Sequence, residues 1–153
     1  MPIVETTLIA GYAPQVKQRL ATALTRGVLS VMNAAPEAVI VVFREVEPEN
    51  WVRGGVSRAP GPPLPAALDT VRAYLAAHTA GDADALAALF AEGCPVTPLP
   101  AGMVLDRFDE AFTDKGSLVF AQGQGADGAG VVLVRFHVVA GAIADIALWR
   151  AAP

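Results

Sequence analysis

The sequence predicts an α+β chain in two parts: a β-α-β unit, then a small domain of two helices followed by an antiparallel sheet. Three observations lead there. Residues 57–65 read SRAPGPPLP, and four prolines in that space force extended backbone that neither a helix nor a central strand accepts. Before it, two β-branched runs flank a stretch with apolar residues at helical spacing; after it, helical patterns come first and strand patterns second. The expected division is 1–56, a linker over 57–65, and 66–153.

In the first part, IVETTLI (3–9) reads as a strand because β-branched residues pack well on a pleated surface. Pro14 suits the first turn of a helix, and Val16, Leu20, Leu24, Val28 and Met32 continue its apolar stripe to an end near Asn33. VIVVFREV (39–46) is the second strand, and its unbroken apolar start predicts burial on both faces. A strand, a helix and a strand in this order imply a right-handed crossover and parallel pairing. Two strands and one helix are too small to enclose a core, so association with other copies is the physical expectation.

In the second part, Leu68, Val71 and Leu75 mark a helix face that His78 continues, Gly81 ends that helix, and Asp82 is placed to cap the next. The second helix carries Leu86, Leu89 and Phe90 and closes at Gly93. DRFDEAF is read as a brief helix with Phe108 and Phe112 on one side. SLVFAQG, GVVLVRFHVVAG and AIADIALWR are three strands of an antiparallel meander, whose sheet would wrap around the helical pair.

The chain has 153 residues, 54% of them hydrophobic and 17% charged, which suits folded domains and not a disordered chain. Its net charge is −4, with five acidic and six basic residues over 1–58 and ten acidic against five basic over 59–153. No basic stripe is present, so nucleic acid and anionic membranes are not expected partners. No apolar run approaches the roughly 18 residues of a membrane span, and no secretory leader is read at the start. A single cysteine, Cys94, rules out an intrachain disulfide, reads as a small buried hydrophobe and fits a reducing, cytoplasmic setting. Two scattered histidines and one cysteine lack metal-ligand spacing, so neither a metal nor another cofactor is expected. GQGADG (123–128) satisfies G-x-G-x-x-G, but a strand follows it where phosphate cradling needs a helix N-terminus; it reads as a hairpin turn.

The residue behind the start methionine is Pro2. Once the methionine is removed, this proline becomes a free secondary amine. An α-amino group titrates near about 7.7–8.0 and moves toward neutrality in an apolar pocket, which suits it to accept and return protons. The rigid ring also fixes the direction of the lone pair.

Pro2, the β-branched strand, the Gly11 turn, the amphipathic helix and the closing PENWxxGG (Pro48, Glu49, Asn50, Trp51, Gly54, Gly55) together resemble the 4-oxalocrotonate tautomerase family over about residues 2–57. The resemblance implies that Pro2 is the general base of a keto-enol or enol-acid tautomerisation and that Trp51 lines the pocket. It also implies a small carbonyl or enol substrate, no cofactor, and a homo-oligomer with sites shared between neighbours. Where the family places two arginines that hold the substrate carboxylate and polarise its carbonyl, this sequence has Tyr12 and Ile40. The bidentate carboxylate clamps are therefore missing. Arg44 shares strand parity with Ile40 but lies about 13 Å along the strand, so Arg53, two residues from Trp51, is the candidate replacement cation. Tyr12 either donates a hydrogen bond to an enolate oxygen or fills the arginine's space as an aromatic.

Residues 66–150 are more loosely similar to the SnoaL-like and NTF2-like cone folds, through VRAYLAAHTAGDADALAALFAEGCPV and the closing GAIADIALW. The interval from Val96 to Ser117 is shorter than those folds use, so the cone is expected to be truncated. The resemblance makes His137 and Asp145 candidate bases, with Asp145 alternating with Ile143, Ala147 and Trp149, and His137 with Leu133, Arg135 and Val139. Three functions stay open at this stage: a tautomerase acting through Pro2, a catalytically degenerate oligomeric scaffold or small-molecule-binding module, and an isomerase or cyclase residing in the second domain.

Overall fold

The computed structural model describes residues 1–125 and 130–150 and divides the chain into two compact units, 1–63 and 64–153. In the first unit, β1 (Ile3–Ile9) and β2 (Ile40–Val46) pair in parallel, with Ile3 opposite Ile40 and Ile9 opposite Val46. Helix α1 (Pro14–Leu29) connects them, with Pro14 in its first turn. It ends four residues short of Asn33, and Met32, read as part of its stripe, is 49% exposed.

The alternation of exposure along β1 and β2 assigns their two faces. Val4, Thr6, Leu8, Val41 and Phe43 turn toward α1, and Lys17 of the helix reaches Glu45 on that same face at 2.7 Å. Ile3, Glu5, Thr7, Ile40, Val42 and Arg44 form the other face, where Arg44 donates to Glu5 at 3.0 and 3.2 Å. The expectation that β2 is buried on both faces fails in the single chain. Only one helix layer is present, and Ile40 and Val42 stay 38% and 36% exposed on the uncovered side.

After β2, a 3-10 turn at Pro48–Asn50 leads into a hairpin that the sequence reading did not assign, β3 (Val52–Arg53) with β4 (Val56–Ser57). Its two-residue turn is Gly54-Gly55 with φ of 61° and 78°, the left-handed pair that matches strand twist and that side chains resist. The following chain returns to the end of β1, where Pro60 approaches Gly11.

The second unit stacks α2 (Ala67–Ala80) and α3 (Ala83–Ala88) on one face of a four-stranded antiparallel sheet in the order β5-β6-β7-β8: Val104–Thr113, Gly116–Gln124, Val131–Val139 and Ala142–Arg150. Gly81 ends α2 in the left-handed conformation, and Asp82 caps α3 by accepting from the Ala85 N–H at 2.9 Å. Helix α3 is shorter than expected, with Leu89 at its C-cap and Phe90 beyond it; mutual backbone hydrogen bonds with Ile143 tie this exit to β8. Val71, Tyr74, Val119, Val134, Phe136 and Ile143 form the centre of the core at 0% exposure. Tyr74 meets Phe136 and Phe90 edge-on at 5.4 and 6.0 Å between ring centres. Cys94 is half-buried, not enclosed as expected.

DRFDEAF is strand, not helix. Its phenylalanines are four residues apart, a spacing that serves a strand face as well as a helix face. In β5, Phe108 pairs with Ala121 and Phe112 with Ser117. A second correction concerns β8: a register shift pairs Val138 with Ile143 but His137 with Asp145, leaving Ala144 as the extra residue. Ile143 is thereby buried against the helices while Asp145 is exposed, so the two do not share a face as simple alternation predicts. Of GQGADG, Gly123 and Gln124 end β6, Gly125 accepts no strand assignment, and 126–128 lie outside the described residues.

Candidate active site

Pro2 stands at the N-terminal end of β1 and is half-buried. Its carbonyl accepts the Ile40 N–H at 3.0 Å, which brings the first residue of β2 beside it. Ile3, paired with Ile40, is 57% exposed, and the two make the first cross-strand row of the uncovered face beside Pro2 apolar; the next row on that face sets Val42 opposite Glu5. Met1, which precedes Pro2, is 83% exposed.

Because β1 and β2 are parallel, both C-terminal ends lie at the opposite edge of the unit. Tyr12 follows β1 there, and Trp51 and Arg53 follow β2 there. Seven strand residues at about 3.3 Å each separate the two ends by about 20 Å. One chain therefore brings Pro2 and Ile40 together, while Tyr12 follows the far end of β1 and Trp51 and Arg53 belong to the segment after β2. Tyr12 and Trp51 are half-buried, and Arg53 is exposed on the hairpin with no ion pair among the described residues. Sequence reasoning missed the hairpin that carries Arg53; Gly54-Gly55 between Val-Arg and Val-Ser was its signal. A surface cavity of about 340 Å³ lies elsewhere in this unit, lined by Gln18, Thr22, Arg26, Leu29 and Pro36 among others and by none of the candidate residues.

In the second unit, His137 and Asp145 stand directly opposite each other on β7 and β8, on the sheet face turned away from the helices. Asp145 accepts from the Arg135 guanidinium, whose carbon lies 5.9 Å from the centre of the Trp149 ring and whose Nε is buried without a hydrogen bond. The carboxylate is half-exposed and committed to an arginine, an arrangement suited to a surface ion pair and not to proton abstraction. His78, the other histidine, has a structural place: its Nε2 donates to the Leu99 carbonyl at 2.6 Å, and its ring stacks on Tyr74. No group of three or more potential ligands that could hold a metal occurs among the described residues, and no described helix is long and apolar enough to cross a membrane.

Comparison with known proteins places a match on the first unit. The family profile described as "Tautomerase enzyme" matches residues 2–59. A curated relative, the probable tautomerase RSp0893 of Ralstonia nicotianae, is 35% identical over 59 residues, covering 39% of this chain and 84% of the relative. Among solved structures, TomN, a 4-oxalocrotonate tautomerase homologue in the tomaymycin biosynthetic pathway, is 38% identical, with 37% of this chain and 86% of that chain covered at a TM-score of 0.35.

Proposed function

The chain belongs to the tautomerase family through its N-terminal unit, and from that premise we propose that it catalyses keto-enol tautomerisation with the processed Pro2 amine as general acid and base. The observation that carries the reading is the position of Pro2, half-buried beside Ile40 at the apolar, uncovered end of a parallel sheet. In the ketonisation direction the enol hydroxyl gives its proton to the proline nitrogen and the C–O bond becomes C=O. The resulting ammonium then returns the proton to the adjacent carbon. Such a base contributes about 10²- to 10⁴-fold when its lone pair is well aimed.

Proton transfer alone does not make a site: the oxygen that gains negative charge needs a donor. Tyr12 and Arg53 are the candidates and Trp51 an aromatic wall, all following strand ends that lie about 20 Å from the Pro2 end within one chain. A neighbouring copy, packed on the uncovered face, would present its own Tyr12, Trp51 and Arg53 there. The functional unit is then an oligomer, and Ile40 supplies an apolar wall. The second unit, read as a shortened cone-like fold, assists assembly and contributes no base.

The test begins with intact mass, to establish that Met1 is gone, followed by ketonisation of phenylenolpyruvate between pH 5 and 9. Turnover should rise with pH as the amine loses its proton. Pro2→Ala should lower kcat/KM at least about 100-fold and leave the circular dichroism unchanged. Equal turnover by Pro2→Ala and the parent would remove Pro2 from the mechanism.

A further inference from the structure

Resting on that reading of Pro2, we propose that the site is selective for an uncharged carbonyl compound with an apolar body, and that Ile40 enforces this selectivity by excluding substrate carboxylates. The residues that the register sets beside Pro2 on the uncovered face are Ile3 and Ile40, at 57% and 38% exposure, and Val42, at 36%, stands one row further, opposite Glu5. None can pair with an anion. The first cation along that face, Arg44, is held by Glu5 through two hydrogen bonds to one carboxylate oxygen, at 3.0 and 3.2 Å, so the pair presents no net charge. Glu37 is exposed on the 3-10 turn Pro36–Ala38, immediately before β2 and therefore at the Pro2 end of the sheet. The fixed charge that one chain places on this face is thus neutral to negative.

A carboxylate brought against Ile3 and Ile40 would lose hydration that no side chain of that row replaces, a desolvation penalty that an ester or a ketone does not incur. The chemistry itself calls for one cationic or hydrogen-bonding partner at the developing oxyanion, and Tyr12 or Arg53 of a neighbour fills that need. A second partner for a carboxylate has no counterpart among Ile3, Ile40 and Val42.

The experiment compares phenylenolpyruvate with its methyl ester, which share the reacting enol and differ by the charge, using the full chain with Met1 shown to be absent. The ester should be preferred at least tenfold in kcat/KM. Ile40→Arg, a change at a partly exposed position, should shift the ratio at least tenfold toward the acid. Turnover in which the acid is preferred, or a ratio that Ile40→Arg does not move, overturns the inference and leaves the role of Pro2 standing. Loss of both activities in the processed parent chain sinks the Pro2 reading and the inference with it.

Discussion

At the scale of single residues, Tyr74 shows how one polar group is worked into an apolar core. Its ring is fully enclosed by Phe136, Phe90 and the β-branched residues of the sheet, while its hydroxyl donates to the Thr97 carbonyl at 2.7 Å and accepts the Leu99 N–H at 3.1 Å. The proline-rich stretch after α3 is thereby pinned to α2, with His78 adding a bond one helical turn later. Burial pushes the phenol above its ordinary value near 10, and the backbone hydrogen bond at Leu99 opposes this only in part. The folded state therefore holds the proton more tightly than the unfolded chain does. Its contribution to stability is complete below pH 10 and is lost as the pH rises through the folded value. Tyr74→Phe leaves the Thr97 carbonyl and the Leu99 N–H without their partner and should cost about 1–3 kcal/mol in urea unfolding near pH 7. The same variant should lose less stability than the parent between pH 9 and 11. An equally steep alkaline decline in both would assign it to other groups.

At the scale of elements, the bulges decide which side chains share a face. The β5–β6 ladder shifts register between Leu105 and Arg107, and Gly123 lies opposite, where a Cβ would overlap the Val104 carbonyl. Gly123→Ala should force the β5 backbone away and destabilise the second unit by about 1–3 kcal/mol, read from the shift of its urea midpoint. An unchanged midpoint would mean that β5 moves freely at this edge. The same kind of irregularity limited what the sequence could disclose. Strand parity is reliable until one residue is inserted, and Ala144 is that residue between Ile143 and Asp145; nothing in AIADIALW marks it. The β5 strand escaped for a related reason, since Phe108 and Phe112 satisfy both periods and only pairing with β6 chooses between them. By contrast, Pro14, Gly81 and Asp82 were legible because each acts through its own backbone or its nearest turn. The tautomerase family was legible through the motif around Pro2, but the separation of the two ends of the sheet follows from parallel pairing of β1 and β2, which local pattern implies only once the crossover is accepted.

At the scale of the whole molecule, the two units differ in how their surfaces are spent. The second has a core with seven large side chains at less than 2% exposure, whereas no residue of 1–63 among the described residues is buried. An isolated sheet of two strands with one covered face leaves Ile3, Ile40 and Val42 in water, where burial would return about 25 cal/mol for each Å² of apolar surface removed. The distribution of these residues on one face gives association of copies a definite surface and gives the proposed composite site its geometry. Val42 stands opposite Glu5 in the register and serves as the probe: in a single chain, Val42→Lys places an ammonium beside that carboxylate on a face already in contact with water. Sedimentation of the parent at micromolar concentration should show a species that is a multiple of 15.8 kDa, and Val42→Lys should shift it toward a single chain. Turnover should fall with the oligomer, because Pro2 would lose the Tyr12, Trp51 and Arg53 of its neighbour, while the circular dichroism of the second unit persists. A parent that sediments as a single chain and still turns over enol substrates would show that Pro2 works without a neighbour, and the composite site would have to be abandoned.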